Sequence, residues 1–223
     1  MRTNFNNLKK FWNDRQNFAF LLSVLLIYIF AIIPLVNGRL IGDLLFFMFY
    51  FLLLSTGVPF LIKNRKASII LLLTITPFVL LFSELILKSA FLTICADIFI
   101  ALYCICLGII IFIRTFAKGH VNLHRVQGAI VVYLLISFVF AMIYHTIYLV
   151  NGKVAFNGLD SGLRTEFMYF SLTTLTTVGY GDIAPVNVFA RSLSNFEALI
   201  GQLYPAILIA RLVSMEFTSS KDK

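Results

Sequence analysis

Six long apolar runs, joined by short polar connections, fill most of the chain. They read Phe18 to Val36, about Leu40 to Ile62, about Ser68 to Leu87, Ala90 to Ile113, about Val126 to Val150 and about Val188 to Met215. With 60% of its 223 residues hydrophobic and a mean hydropathy of +0.94, the chain carries more apolar surface than a soluble domain can bury. The bilayer is the natural solvent for it, and a helical span needs about 20 apolar residues. Six spans then use up the chain, and no soluble catalytic domain fits. Pro34, Pro59, Pro77 and Pro205 fall within or near the runs. Bilayer helices tolerate proline where neighbours satisfy the freed carbonyls.

The net charge of +8 is not a nucleic-acid footprint, because the charges sit between the runs and not in a patch. Lys and Arg instead mark cytoplasmic loops facing anionic lipid. Arg2, Lys9, Lys10 and Arg15 precede the first run; Lys63, Arg65 and Lys66 fill the second loop; Arg114, Lys118 and Arg125 fill the fourth. The first loop has only Arg39 and the third only Lys88, whereas Arg211, Lys221 and Lys223 follow the last run. This alternation predicts cytoplasmic termini and an external segment between the fifth and sixth spans. The first run starts near Asn17, is too long for a signal core and shows no small-residue cleavage site, so it is expected to be retained. Cys95, Cys104 and Cys106 share one apolar run, and an odd number there reads as reduced packing residues, not a disulfide framework.

The external segment holds the polar stretch "TLTTVGYGD", Thr174 to Asp182. Before it, "LRTEFMYFSLTTL" (163–175) is mostly apolar and too short to cross a bilayer, which suits a re-entrant helix. Thr165 or Ser161 is its expected cap, with Glu166 at the positive end of the helix dipole. The chain is then predicted to return outward through 177–181. Non-helical backbone survives at membrane depth only where protein buries it or water reaches it, so this strand should line an aqueous path. Gly179 and Gly181 adopt positive φ cheaply. Alternating them with Val178 and Tyr180 can turn successive carbonyls one way, so that oxygens replace the water shell of a cation.

"TTLTTVGYGD" resembles the signature of potassium channels, whose filters are built from four TVGYG loops. "GQLYPAILIARLV" (201–213) resembles the pore-lining inner helix of prokaryotic members. The resemblance covers Leu163 to Val213; the first four spans resemble the six-span members only in number. It implies an all-α membrane protein of six transmembrane helices with a re-entrant pore helix and a selectivity filter. One filter copy per chain implies a homotetramer. Thr177, Val178, Gly179, Tyr180 and Gly181 would bind dehydrated potassium, Asp182 would sit at the outer mouth, and Gly201 and Pro205 are the expected hinge and kink of the inner helix. The organisation expected is a cytoplasmic N-terminus (1–17), a four-helix membrane domain (18–113), a cytoplasmic linker (114–125), a pore domain (126–215, inner helix 188–215) and a short cytoplasmic tail (216–223). The setting implied is a prokaryotic plasma membrane. Lipid and potassium are the partners, with no cofactor and no nucleic acid, and with no attached cytoplasmic ligand-binding domain.

The fourth run has no basic residue before Arg114. A voltage sensor needs several, because gating work scales with charge moved. Arg114 therefore reads as a snorkelling anchor, and strong voltage gating of that type is not expected. Glu84 pairs most simply with Lys88, one turn on. Asp97 has no partner in sequence and either pairs across helices or belongs to a gating element. Arg191 and Glu197 are expected to pair between subunits or with the loop behind the filter. His120 and His124 read as a solvated linker, two ligands being too few for a metal. A non-conducting homologue is the alternative. A secondary transporter fits less well, since only one half carries a broken segment and residues 17–113 do not match 124–215. No Ser–His pair, HExxH or paired acids suggests an enzyme.

Overall fold

The computed structural model describes residues 14–35, 42, 44–53, 67–87, 89–116 and 122–221. It is predominantly helical. Helix α1 is Asp14–Ile27, α2 Leu44–Leu53, α3 Ala67–Leu87, α4 Ala90–Thr115, α5 Leu123–Asn151, α6 Arg164–Leu175 and α7 Val188–Lys221. Among the described residues four helical stretches are long and apolar enough to cross a membrane: Phe18–Leu35, Ala90–Thr115, Leu123–Ala155 and Val188–Ser214. Leu44–Leu53 and Ile75–Glu84 are shorter apolar helices among the described residues. The turn expected at Asn37-Gly38, Pro59, the Lys63–Lys66 loop, Lys88 and His120 lie outside the described residues.

Local chemistry explains the breaks. After α1 the chain widens into a π-turn, Tyr28–Ile32, and then tightens into Ile33–Leu35. Pro34 causes this, since its ring would collide with the carbonyl four residues earlier in a regular helix. Asn122 caps α5 by accepting from the Arg125 amide at 3.2 Å. Gly152, at φ 73°, ends it in the left-handed conformation that glycine permits.

Helix α5 is the hub. It packs against α1, α4, α6 and α7, while α3 packs on α4. Its Phe138 stacks on Phe49 of α2 at 5.2 Å, and Tyr28 stacks on Phe49 at 3.7 Å. Phe20, Phe30, Phe91 and Ile113 stay exposed at the rim, as lipid-facing side chains do. Cys95, Cys104 and Cys106 are free thiols, as expected.

Helix α6 is different. Its 12 residues make a rod of about 18 Å at 1.5 Å per residue, against an apolar thickness of about 30 Å. A two-stranded antiparallel ribbon links the segments on either side of it: Phe156 pairs with Pro185 and Asn157 with Ala184. The ribbon joins the chain entering α6 to the chain leaving the 177–181 stretch.

Phe138→Ala should remove the shared ring of this core and cost about 3–5 kcal/mol. Thermal unfolding of the detergent-solubilised protein checks it. An unchanged midpoint would mean that the Phe138 ring contributes little to seating α1 and α2 on α5.

Candidate functional site

Helix α6 begins at Arg164 and ends at Leu175, matching the expected short helix. Its cap differs from expectation. The residue at the cap position is Leu163, with no side-chain bond, so neither Thr165 nor Ser161 fills that role. Glu166 reaches back instead: it accepts from the amides of Ser161 at 2.8 Å and Gly162 at 3.1 Å, and from the Ser161 hydroxyl. A carboxylate in the first turn satisfies amides that would otherwise be orphaned and suits the positive helix end.

The other end of α6 leads into 177–181, the stretch expected to form a filter. The Thr177 amide donates to Thr174 O at 2.9 Å; the amides of Val178 and Gly179 both donate to Thr173 O, at 2.9 and 3.1 Å. The tyrosine hydroxyl of Tyr133, on α5, donates to Leu175 O at 3.0 Å. Carbonyls that a helix leaves unpaired are thus taken by the segment that follows and by a neighbour. Beyond them the backbone alternates. Thr177 has φ 58°, Gly179 55° and Gly181 82°, whereas Val178 and Tyr180 do not enter positive φ. For Thr177, a β-branched residue, this conformation costs about 1–3 kcal/mol and persists only where the surroundings impose it. Val178 and Tyr180 lie exposed, at 54% and 72%.

Asp182 closes the stretch. It accepts from the Tyr169 hydroxyl at 2.7 Å, and the Tyr169 ring lies parallel to that of Tyr180 at 6.5 Å. That hydrogen bond holds the Asp182 carboxyl below the usual carboxylate range. Its negative charge therefore persists as pH falls, until the lowered value is passed. Gly158, at φ 80°, comes so close that a Cβ there would sit 1.7 Å from Asp182 O. Asn187 then caps α7 by accepting from the amides of Phe189 and Ala190.

Behind α6 lies a buried polar seam. Glu197 of α7 is fully buried, accepts from the Tyr144 hydroxyl at 2.7 Å and bonds the Ser171 hydroxyl. Ser171 also reaches Ser137 of α5. Arg191 donates to Pro185 O at 3.0 Å. Within the chain, then, Glu197 and Arg191 do not pair with each other; each has partners of its own. Gly201 sits against the end of α6, where a Cβ would fall 1.7 Å from Leu175 O. Helix α7 runs unbroken through Gly201 and Pro205 to Lys221, beyond the expected end at 215.

At the start of α6, Arg164 is buried among acids. Its Nε donates to Asp97 Oδ1 at 2.7 Å, and its two terminal nitrogens donate to Glu84 at 3.2 and 2.9 Å. His145 Nδ1 lies 2.6 Å from Asp97 Oδ2. Asp97 pairs across helices, the first of the two alternatives left by the sequence. The Glu84 carboxylate engages Arg164, and the pairing expected between Glu84 and Lys88 falls on a residue outside the described ones. Sequence reasoning missed Arg164, Tyr169, Ser171 and Tyr144. Arg164 had a signal, because a cation at the positive end of a helix is misplaced unless acids surround it. Among the described residues no group of three metal-ligating side chains occurs.

Glu197→Ala should leave the Tyr144 and Ser171 hydroxyls buried and unpaired, at about 1–3 kcal/mol for each. Glu197→Gln should keep most of that stability, its amide having the same shape with donors and acceptor. Thermal midpoints of the two variants test this, and equal losses would mean that charge, not hydrogen bonding, holds the seam.

Residues 129–217 match the family model described as "Ion channel". Protein LctB of Bacillus caldotenax is 33% identical over 108 residues, 45% of this chain and 79% of that protein. Inward rectifier potassium channel Kirbac3.1 of Paramagnetospirillum magnetotacticum is 36% identical over 86 residues, 39% of this chain and 27% of its own length. Voltage-gated potassium channel Kch of Escherichia coli (strain K12) is 37% identical over 89 residues, 39% of this chain and 20% of its own length. The chain thus spans most of LctB and under a third of the two potassium channels. No solved structure shows significant similarity. The short helix leading into "TVGYG" lies within the segment matched by the ion channel model, and the chain belongs, with protein LctB, to an ion channel family.

Proposed function

We propose that the chain is one subunit of a homotetrameric, potassium-selective channel that conducts passively across a prokaryotic plasma membrane. The observation that carries this reading is the alternating backbone of 177–181. Positive φ at Thr177, Gly179 and Gly181, alternating with Val178 and Tyr180, supports successive carbonyls turned to one side, while the amides of Thr177 to Gly179 are spent on α6. A row of oxygens of that kind suits a cation stripped of water. Thr177, Val178, Gly179, Tyr180 and Gly181 are assigned to potassium, and Asp182 to the outer mouth.

Tetramerisation follows from closure. One loop supplies one side of a ring, and four are needed. The exposure of Val178, Tyr180, Phe196, Leu199, Leu203 and Ile207 supports it, because these side chains lie along the filter and α7, where neighbouring subunits would pack. Six spans with cytoplasmic termini remain the assigned topology, from the loop charges. Gly201 is pinned against Leu175, so bending of α7 is assigned to the turn at Pro205, where an amide donor is missing. The absence of an arginine array in α4 argues against strong voltage gating.

Potassium flux into vesicles holding purified protein, with sodium substitution, tests the reading. Currents in planar bilayers should reverse near the potassium potential. Gly179→Ala should abolish selectivity or conduction, since an L-residue at φ 55° strains by about 1–2 kcal/mol in each of four subunits. Potassium selectivity that survives the substitution removes the filter assignment. Arg114→Gln should leave the conductance–voltage curve largely unchanged, and a large shift would restore a voltage-sensing role.

A further inference from the structure

We propose that Glu84, Asp97, His145 and Arg164 form a proton-sensing clamp that positions the pore helix from the peripheral helices; the proposal rests on reading α6 and 177–181 as pore helix and filter. The four residues come from α3, α4, α5 and α6. They meet at the start of α6, and the Arg164 guanidinium also lies 5.1 Å over the Phe46 ring of α2. One arginine therefore ties the pore helix to α2, α3 and α4 directly, and to His145 of α5 through Asp97.

Charge balance makes the clamp responsive. Asp97 is fully buried and Arg164 nearly so. Among the described residues of the cluster, two carboxylates and one guanidinium leave one negative charge unmatched while the imidazole is neutral. A protonated imidazole cancels it. Uncompensated buried charge is costly, and a charge-assisted hydrogen bond is shorter and stronger than a neutral one. Histidine is the side chain whose charge ordinarily changes between about pH 5 and 8. The bond from His145 Nδ1 goes to Asp97 Oδ2, while Arg164 uses Oδ1, so the two cations share Asp97 without competing for one oxygen.

Protons have a route. A cavity of about 200 Å³ is lined by Glu84, Thr93, His145, Tyr148, Ser161 and Arg164. Among the described residues, the titratable or charged groups facing His145 are Asp97 from α4, Glu84 from α3, Arg164 from α6 and Tyr148 one turn along its own helix. Glu166 stands next to the cavity, already engaged by Ser161 and Gly162. The Phe167 ring of α6 packs 5.4 Å from the imidazole. Acid on the outer side should therefore tighten the hold of α4 and α5 on the pore helix and favour the conducting filter.

The experiment is potassium flux from vesicles as the outer pH is stepped from 8 to 5.5. Wild-type flux should rise several-fold with a Hill slope of about one, and His145→Gln should be flat while still preferring potassium to sodium. The chain has three histidines, and the His120→Gln, His124→Gln double variant should keep the response. A response that survives His145→Gln, one that vanishes in the double variant, one of opposite sign, or none at all overturns the proposal. Nitrogen NMR of labelled histidine in the solubilised tetramer reads the imidazole without conduction. A His145 ring that keeps one charge state from pH 5 to 8 also overturns it. Vesicles that pass no potassium at any pH, with the ring titrating normally, would refute the channel reading and leave the proton site standing.

Discussion

A helix too short to cross the bilayer has nothing in the lipid to hold it, and the rest of this structure depends on how α6 is held. A transmembrane helix is fixed by its own length between two aqueous faces. A 12-residue helix is not, and its ends carry unpaired backbone groups that lipid cannot satisfy. Protein must supply every tie. At the start, Arg164 bonds Asp97 and Glu84, and Glu166 folds back on Ser161 and Gly162. In the middle, Ser171 joins Ser137 of α5 to Glu197 of α7. At the end, Leu175 O accepts from Tyr133, and Gly201 lets α7 approach the same carbonyl. Polar ties inside an apolar core are costly unless complete, and complete ones specify a single arrangement.

The filter stretch inherits that rigidity. Its first amides are bonded to α6, its far end is held by Tyr169 through Asp182, and the ribbon at Phe156–Asn157 closes the loop from outside. Thr177 stays in a left-handed conformation that a free chain would leave, which is the mark of a backbone imposed by its surroundings. Displacement of α6 would therefore reach 177–181 directly, because the amides of Thr177, Val178 and Gly179 are bonded to it. Coupling of this kind needs a packed element with two discrete positions, and α6 is the element that both the peripheral helices and 177–181 touch.

Much of this was legible before any coordinates. Apolar runs at bilayer length predicted helices, and α4, α5, α6 and α7 fall close to their expected limits, although α7 extends to Lys221. The TVGYG string predicted where backbone would leave the helix, and Gly179 and Gly181 have the positive φ that motivated the reading. What the sequence did not show is the partner that Glu84 and Asp97 share. Arg164 lies 80 residues from Glu84 and 67 from Asp97, and helix periodicity does not report such separations.

Periodicity and composition act locally. Each run must satisfy its backbone within itself and show lipid an apolar surface, so the sequence alone determined the helices, their membrane setting and the place, 177–181, where the backbone leaves the short helix. Which polar side chains meet is different. It depends on how helices cross and rotate about one another, and only the tertiary structure decided that Asp97, His145, Glu84 and Arg164 share one buried cluster. It also decided that Gly201 serves close approach to Leu175, since a glycine in an apolar helix reads equally as hinge or contact until a carbonyl is found 1.7 Å from where its Cβ would be. The physical reason is that burial makes each charge demand a partner, whereas the partner's identity is set by packing across helices that the local sequence does not encode.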